Sequence, residues 1–529
     1  MPTGGPSDVT PPKVIGEKPE NGKVNFAEKR IKITFDEFVT LNNPIENIIF
    51  SPPTQGHIEY STQGKSVIVR ILDTLRENTT YNIFFSDCIQ DFHEGNKLEG
   101  YNYAFSTGDS IDQHKLFGTI VNAQTNKPEA SCFVMLYIND VDSLPLTSFP
   151  DYLTKTNEQG KFFFHHLKPA NYKIFALKDI NSDLLYNLPN ELIAFADSMI
   201  EAKFYASDSL FFADSTAFVT LRMFQEEDTV QLLLPYINPQ KGIYRFPYKI
   251  PVDSFDFQIK SDIDIEYFSK INPRRDTVSL YLKTFFTDTA IVYIQTNSER
   301  MDTVELLPYK IPQRFGSNQQ VPVQKLRINL GNGDDLYAPT MLNFSYPIKP
   351  ADRVELFIIA TIRGEKDTTA IFVDIQDDFV MQVPVPFKFE PKINYAITFR
   401  DSLFYGYDNT TNDSTTFTLS KKTEKDYGNL IINYKVNAKN NVDFIVELQS
   451  SYKKTIREDI IASSKTIEYK HLPPGTYRLK VIEDRNRNGK WDTGNYRNKI
   501  QPEKIFFVDK EIIIRGFWDI EEDIELRVP

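Results

Sequence analysis

Leu472-Pro-Pro-Gly-Thr-Tyr-Arg478 stands near the C-terminus of this chain, and Leu167-Lys-Pro-Ala-Asn-Tyr-Lys173 is an earlier copy of it. Two further pairs of segments follow in the same order: Lys178-Asp-Ile-Asn-Ser-Asp183 with Glu483-Asp-Arg-Asn-Arg-Asn488, and Asn190-Glu-Leu-Ile-Ala-Phe195 with Pro502-Glu-Lys-Ile-Phe-Phe507. Matches that keep their order over such a distance indicate a duplicated structural unit. The sequence therefore predicts two copies of one domain, separated by a long stretch of other sequence.

The repeat also decides how residues 191–202 are interpreted. Taken alone, this segment has an apolar stripe that is compatible with a helix. Its counterpart at 503–514 is rich in β-branched residues, which favour strands. We therefore predict strands in both copies.

The composition as a whole favours β structure. The chain has 529 residues, of which 41 are Phe and 27 are Tyr, and Gly and Pro separate short runs throughout. Aromatic and β-branched side chains suit a pleated sheet, and this length corresponds to several domains. We predict an all-β protein of tandem β-sandwich domains arranged as a rod.

Charge and hydropathy limit the classes of partner. The formal net charge is −12, which repels phosphate backbones, so we expect no nucleic-acid binding. No run of apolar residues approaches the length that spans a bilayer. Residues 1–10 are polar and rich in Pro and Gly, and we predict that they form a flexible tether.

The first folded unit is predicted at residues 11–110. Lys29–Phe35, Ser66–Ile71, Thr79–Phe85 and Tyr101–Thr107 read as short strands without helical periodicity, the pattern of a β-sandwich. Several motifs in order, from Thr10-Pro-Pro12 through Leu75-Arg-Glu-Asn-Thr-Thr-Tyr81 to Phe105-Ser-Thr-Gly-Asp109, resemble the bacterial Ig-like domain of surface-layer proteins. The resemblance implies architecture and not chemistry.

The duplicated unit is predicted at residues 111–202 and 424–529. Gly118-Thr-Ile-Val121, Gly160-Lys-Phe-Phe-Phe164 and the segment that begins at Leu167 resemble the transthyretin-like module of carboxypeptidases, which is not their catalytic part. Ala170 stands where that family has Gly, so an altered turn is expected there. The second copy has Gly475 at this position.

Two units remain between the copies. Residues 203–315 are rich in strand-like runs and predict a further β-sandwich of uncertain type. Residues 316–423 predict a second, divergent Ig-like domain, because Glu390-Pro-Lys-Ile-Asn-Tyr395 echoes Arg76-Glu-Asn-Thr-Thr-Tyr81. Ser414–Thr418 stands where the first copy has its closing strand.

The clearest candidate for a metal site is a loop of the second transthyretin-like copy. Side-chain oxygens recur at alternate positions, Gly489 occupies position six, and the candidate calcium ligands are Asp484, Asn486, Asn488, Lys490 and Asp492. Asn495 replaces the bidentate Glu of an EF-hand at position twelve. The alternative is a turn in which the Asx side chains bind their own backbone. In the first copy, Asp179–Asp183 keeps three oxygens but has Leu184 in place of the glycine.

No enzymatic signature is found in the sequence. The motifs of serine hydrolases, zinc proteases, phosphate-binding loops and dinucleotide-binding folds are missing, and the chain has only 6 His. We expect the adjacent His165 and His166 to be structural, since neighbours on a strand point to opposite faces. Cys88 and Cys132 are the only cysteines, and we expect them to be buried free thiols rather than a disulfide.

Four aromatic residues near the C-terminus form the other candidate site. Trp491, Tyr496, Phe517 and Trp518 include both tryptophans of the chain. Exposed, they would form a platform for glycans or proteins. Buried, they would belong to the core and the sheet edges.

The order of domains, and the opening Pro2-Thr-Gly-Gly-Pro6, resemble Ig-like outer-membrane lipoproteins of Gram-negative bacteria. The resemblance implies an outer-membrane location and a lipid anchor on a cysteine that precedes this stretch. It implies surface or outer-membrane proteins as partners. We therefore predict a non-enzymatic scaffold or interaction module, such as an accessory subunit of an outer-membrane transport or protein-assembly complex. The alternative is a glycan-binding protein of a saccharide-uptake system.

Overall fold

The fold was analysed in a computed structural model, which describes residues 9–54, 56–205, 218–227, 231–296, 301–310, 325–437 and 442–527. The regular secondary structure of the described residues is almost entirely β-strand, arranged as five successive β-sandwich domains. The all-β prediction is confirmed. Apart from Val9 and Thr10, the predicted tether lies outside the described residues. No described helix has the length and apolar character needed to cross a membrane.

The first domain is a sandwich of a four-stranded sheet, in the order β1-β2-β6-β5, and a three-stranded sheet, in the order β10-β7-β4. Tyr81 and Phe105 lie at the centre of its core, stacked 5.4 Å apart. Its elements are β1 Val14–Lys18, β2 Arg30–Phe35, β3 Val39–Leu41, α1 Pro44–Asn47, β4 Ile49–Ser51, β5 Ile58–Gln63, β6 Ser66–Ile71, β7 Thr80–Phe84, β8 Ile89–Asp91, β9 Lys97–Leu98 and β10 Asn102–Ser106.

The second domain is the first copy of the duplicated unit. One sheet has the order β14-β11-β18 and the other β13-β12-β15-β16. Its elements are β11 His114–Asn122, β12 Phe133–Tyr137, α2 Leu144–Thr147, β13 Tyr152–Lys155, β14 Lys161–Leu167, β15 Asn171–Lys178, β16 Leu192–Phe195, β17 Ile200–Glu201, β18 Lys203–Phe204 and β19 Phe218–Met223.

The boundary predicted at residue 202 needs correction. Strand β19 pairs in parallel with β11, from Phe117 opposite Phe218 to Asn122 opposite Met223. The second domain therefore continues at least to Met223. Sequence periodicity could not assign this strand, because its partner lies about a hundred residues earlier and parallel pairing leaves no turn signal.

The third domain confirms that the middle segment is strand-rich. It has sheets in the orders β20-β21-β24-β23 and β22-β25-β26 around a core that includes Tyr244 and Phe246. Its strands are β20 Ile237–Gln240, β21 Ile243–Pro247, β22 Phe255–Lys260, β23 Tyr267–Ile271, β24 Thr277–Leu282, β25 Ala290–Thr296 and β26 Met301–Leu306.

The fourth domain combines sheets in the orders β27-β28-β31 and β30-β29-β32-β33. Its elements are β27 Ile328–Gly331, β28 Met341–Ile348, β29 Ala351–Ile362, β30 Glu365–Ile375, β31 Val380–Pro384, β32 Asn394–Phe399, β33 Thr415–Leu419 and a 3-10 helix Glu424–Asp426. The echo of the first domain has a structural basis. The Tyr395 hydroxyl accepts a hydrogen bond from the Glu390 N–H at 3.1 Å, as the Tyr81 hydroxyl accepts one from the Arg76 N–H at 2.8 Å.

The fifth domain repeats the second. Its sheets have the orders β37-β34-β41 and β36-β35-β38-β39, and β41 pairs in parallel with β34 as β19 does with β11. Its strands are β34 Gly428–Asn437, β35 Asp443–Ser450, β36 Thr455–Ile461, β37 Lys465–Leu472, β38 Gly475–Asp484, β39 Ile505–Phe507, β40 Ile512–Ile514 and β41 Asp519–Arg527.

The quoted repeat motif has the same role in both copies. The Tyr172 hydroxyl donates a hydrogen bond to the Lys168 carbonyl at 2.8 Å, and the Tyr477 hydroxyl donates one to the Pro473 carbonyl at 2.7 Å. The turn keeps this bond although Ala170 replaces glycine. Segments 191–202 and 503–514 form strands in both copies, as predicted.

Candidate functional site

Specific contacts join neighbouring domains. The Leu153 N–H of the second domain donates to Ser51 Oγ of the first at 2.9 Å, in a buried position. The Tyr346 hydroxyl of the fourth domain donates to the Leu282 carbonyl of the third at 2.7 Å. Between the fourth and fifth domains, the rings of Tyr337 and His471 stack 3.4 Å apart.

The predicted histidine pair lies at the first of these junctions. His166 Nδ1 lies 2.7 Å from Asn82 Oδ1 of the first domain. Burial, followed by repulsion from His165 and Lys115, lowers the pKa of His166 to about 4. A neutral imidazole is therefore part of the interface, which agrees with the structural role predicted for it.

Both cysteines are buried and free, as expected. Burial raises the pKa of each thiol to about 11. Because the thiolate is the reactive form, these residues are unreactive core side chains.

A fourth interdomain contact connects parts of the chain that are distant in sequence. We call residues 491–501 of the fifth domain the docking loop, since they lie against the second domain. The Tyr496 ring is 6% exposed and packs edge-on against Phe175, Tyr186 and Phe195, at centroid distances of 5.7, 6.0 and 5.5 Å. With Phe224, these three residues form what we call the aromatic face of the second domain.

Hydrogen bonds surround this aromatic contact. The Tyr496 N–H donates to Glu226 Oε1 at 2.7 Å, while the Tyr186 hydroxyl donates to Glu226 Oε2 at 2.8 Å. Gln501 Nε2 donates to the Phe195 carbonyl at 3.0 Å and to Asp197 Oδ1 at 2.7 Å. The docking loop thus has both an apolar centre and satisfied polar groups at its margin, the composition of a specific interface.

Ion pairs add to the edge of this contact. The ammonium group of Lys499 pairs with the Asp142 carboxylate of the second domain, which also binds Lys173 at 2.5 Å. The five sandwiches therefore do not form a straight rod, because the fifth domain packs against the second.

The predicted calcium loop leads directly into the docking loop. Asp484 Oδ2 accepts a hydrogen bond from the Gly489 N–H at 2.8 Å, and Asn486 Oδ1 accepts one from the Asn488 N–H at 3.1 Å. Asn488 Oδ1 accepts one from the Lys490 N–H at 3.0 Å. The side-chain oxygens thus bind the loop's own backbone, the arrangement of the Asx-turn alternative.

The structure does bring the predicted oxygen-bearing residues together. The amide nitrogens of Asn486 and Asn488 each donate to Asp492 Oδ2 at 2.6 Å. Among the described residues, no three His, Cys, Asp or Glu side chains are grouped so that they could hold a metal ion. A calcium ion would need the two Asn oxygens and backbone carbonyls in addition to the carboxylates. Calcium binding stays a prediction.

Glu503 is a further member of the loop that sequence reasoning missed. Its carboxylate is 5% exposed and accepts hydrogen bonds from the Arg485 N–H at 2.7 Å and the Asp492 N–H at 3.0 Å. Burial, and then repulsion from Asp492 and Asp484, raises the pKa of Glu503. In the first copy, the fully buried Glu191 accepts from the Ile180 N–H in the same way. The aligned Glu residues of the repeat were the signal that could have identified it.

The predicted aromatic cluster is divided between two places. The indole N–H of Trp491 donates to the Glu503 carbonyl at 2.9 Å, and Tyr496 is buried in the domain contact. Phe517 and Trp518 lie elsewhere and are 69% and 56% exposed. The packing interpretation therefore applies to Trp491 and Tyr496, and the exposed-platform interpretation applies to Phe517 and Trp518.

A groove opens beside Phe517, where the fourth and fifth domains meet. We call it the junction groove. Its volume is about 770 Å³, and the apolar residues that line it include Phe387 and Phe389 of the fourth domain and Phe517 of the fifth. Four lysine side chains also line it.

Comparison with known proteins identifies the first domain. Residues 8–107 match the model of the bacterial Ig-like domain family. No curated protein matches the chain.

Three solved structures show how limited the wider likeness is. The Bacillus anthracis TIE protein is 8% identical, over 99% of this chain and 76% of that one, with a TM-score of 0.15. The surface-layer protein SbsC is 12% identical over 96% and 68%, with a TM-score of 0.13. BcpA, the major pilin subunit of Bacillus cereus, is 9% identical over 78% and 99%, with a TM-score of 0.15. Scores this low carry no argument about function.

The matched segment coincides with the first sandwich of the structure, whose core contains Tyr81 and Phe105. This fold is consistent with a scaffold or interaction module of a cell-surface protein. Residues 8–107 thus match the bacterial Ig-like domain family, and further β-sandwich domains follow them.

Proposed function

We propose that this protein is a non-enzymatic scaffold that holds a partner protein at the bacterial surface. The observation that carries the proposal is the burial of Tyr496 against the aromatic face, which joins two domains that are far apart in the sequence. Together with the contacts between neighbouring domains, it fixes the sandwiches relative to one another. A fixed arrangement of binding surfaces lowers the entropy lost when a partner binds.

The finer proposal is that the chain is part of an outer-membrane lipoprotein. Its N-terminus would follow a lipidated cysteine, and its partners would be subunits of an outer-membrane transport or protein-assembly complex. The acidic surface and the exposed aromatic residues at the junction groove support binding to proteins rather than to nucleic acid.

The test is isolation of the tagged native protein in mild detergent, followed by mass spectrometry of the co-purifying subunits. We expect a stable set of outer-membrane proteins with the wild-type chain. Tyr496→Ala should reduce their recovery, because it releases the second domain from the fifth. Tyr452→Ala, which removes a ring that is 92% exposed on the same domain, is the matched control. A wild-type protein that is recovered alone from membranes would contradict the proposal.

A glycan-binding surface protein is the second candidate function. The exposure of Trp518 favours it, since sugar rings stack on exposed indoles. The guanidinium of Arg515 lies 5.3 Å from this ring, however, and occupies one of its two faces. Glycan-array binding that is lost in Trp518→Ala and kept in Phe92→Ala would support this function over the first.

Calcium binding by the Asp484 loop is proposed as a structural role within the fifth domain. Calcium would neutralise the carboxylates of Asp484 and Asp492 and stabilise the loop that precedes Tyr496. We expect millimolar calcium to raise the melting temperature of the chelator-treated chain, and Asp492→Ala to abolish the increase. An unchanged melting temperature would leave the Asx-turn hydrogen bonds as the complete explanation of the loop.

A further inference from the structure

The junction groove has features that the packing of two domains does not require. Phe517 is 69% exposed, and its backbone adopts the left-handed conformation, with φ of 66°. Its N–H donates to the Tyr427 carbonyl at 2.7 Å, and its side chain lines the groove. Bulky residues rarely adopt this conformation.

The floor of the groove contains a polar group without a partner. Thr340 lines the groove and is 3% exposed, and its hydroxyl oxygen makes no hydrogen bond with the described residues. Buried polar groups are nearly always hydrogen-bonded, because an unmade bond costs free energy.

The charge of the groove is opposite to that of the chain. Four lysines and two glutamates line it, of which Lys388 and Glu390 form an ion pair at 3.3 Å: Lys388, Lys392, Lys421, Lys425, Glu390 and Glu424. The chain as a whole carries a formal charge of −12. A local excess of positive charge in an acidic protein favours an anionic ligand.

One of these lysines is built into the floor. Lys421 is 6% exposed, and its ammonium group donates to the carbonyls of Asn332, Asp335 and Ala338. Carbonyl oxygens satisfy its hydrogen bonds, and the nearby carboxylates of Asp335 and Asp334 offset part of its charge. The Asp334 carboxylate also forms an ion pair with Lys422 at 2.6 Å. Its negative charge is therefore shared between Lys421 and Lys422.

From these observations we infer that the junction groove binds an extended acidic peptide segment of a partner protein, with an apolar side chain between Phe387 and Phe517. The inference rests on the proposed scaffold function and names the chemistry of its partner. Phenylalanine walls suit the apolar side chains of a peptide better than the hydroxyl groups of a sugar. The exposed Trp518, which would suit a sugar, does not line the groove.

Fluorescence anisotropy with labelled peptides tests the inference on the full chain. The probe is a short peptide of alternating Glu and Phe, and the two comparison peptides replace Glu by Lys or Phe by Ser. We expect binding of the first peptide alone, weakened by added salt because the lysines contribute. Equal binding of the Lys–Phe peptide, or no binding of the Glu–Phe peptide, would overturn the inference.

Variants then locate the binding site. Phe517→Ala should weaken binding by about tenfold or more, as the loss of an aromatic anchor does. The double variant Lys388→Glu, Lys425→Glu should do the same and remove the salt dependence. Phe92→Ala, which removes an aromatic ring that is 67% exposed on the first domain, is the control and should bind as the wild type does. Binding that survives in Phe517→Ala places the peptide elsewhere and contradicts the inference.

The experiments distinguish failure of the scaffold function from failure of the peptide-binding groove. If outer-membrane subunits co-purify with the native protein and still co-purify with Phe517→Ala, the scaffold function stands and the groove is not its binding site. If an acidic polysaccharide binds in a Phe517-dependent manner and the Glu–Phe peptide does not, the inferred class of ligand is wrong.

Discussion

At the scale of single residues, the buried glutamate of each repeat has the clearest role. Glu503 and Glu191 each bind backbone N–H groups of the loop that precedes them, and so close that loop. A carboxylate that is nearly excluded from water and bound to the backbone stabilises one loop conformation. The side chains of Glu503 and Glu191 therefore stabilise the fold. From sequence alone, a carboxylate is considered first for catalysis or metal binding.

We predict that Glu503→Ala destabilises the fifth domain by about 1–3 kcal/mol, because two backbone N–H groups lose their partner. Trypsin should cleave the variant faster after Arg485 and Arg487. Melting curves and timed proteolysis measure the two effects. Glu511→Ala is the control, because that side chain is exposed and lies 4.0 Å from Arg478 at its closest. Equal cleavage rates in both variants would contradict the role assigned to Glu503.

His166 gives the junction of the first two domains a pH dependence. Its pKa is about 4 in the folded chain and about 6.5 when unfolded, so the unfolded chain binds more protons between these values. Stability is therefore present above about pH 6.5 and falls as the pH drops towards 4, by up to roughly 3 kcal/mol.

The measurement is the melting temperature at pH 7.5 and at pH 5. We predict a smaller difference between the two in His166→Gln than in the wild type. His93→Gln, at an exposed position in the first domain, should keep the full difference. If His166→Gln shows the wild-type pH dependence, the acid sensitivity arises from other groups.

At the scale of elements, the short motifs of the repeat predicted the fold of both copies well, because each motif encodes hydrogen bonds between residues a few positions apart. Tyr172 and Tyr477 each bind a carbonyl four residues earlier, so the hydrogen bond is encoded within one segment. Strands β19 and β41 are the contrary case. Each pairs in parallel with the first strand of its domain, across a long separation, and no local pattern specifies that partner.

The docking loop depends on a small residue where it meets the aromatic face. A side chain at Gly494 would place its Cβ 2.4 Å from the Phe224 ring, and Phe224 is itself 2% exposed. We predict that Gly494→Val separates the loop from the second domain, since a buried ring has no room to move. Gly16→Val, at a position with no neighbouring atoms within 4 Å and without a positive φ, tests the general effect of replacing a glycine.

At the scale of the whole molecule, the contact of the second and fifth domains sets the shape. Asp142 binds both Lys499 of the fifth domain and Lys173 of its own domain. Cross-linking of this one carboxylate therefore detects both the interdomain and the intradomain ion pair. A carbodiimide, which joins paired carboxylates and amines, should link Asp142 to each lysine in the wild type. Peptide mass spectrometry distinguishes the two products.

We predict that Tyr496→Ala, by weakening the contact by about 2–4 kcal/mol, shifts this cross-link from Lys499 to Lys173. The radius of gyration from small-angle X-ray scattering should increase at the same time. Gly494→Val should behave in the same way, and Gly16→Val should not. An unchanged ratio of the two cross-linked products in Tyr496→Ala would show that the aromatic contact does not hold the domains together.

The sequence by itself determined the class of fold, the duplication, the first Ig-like domain and the positions of most strands. These depend on side-chain pattern and on bonds between residues a few positions apart, which a sequence displays directly. The tertiary structure alone decided that Tyr496 is buried while Phe517 is exposed, and that the fifth domain returns to the second. Tyr496 and its partner Glu226 are 270 residues apart, and the energy of their contact comes from surfaces that exist only once both domains are folded.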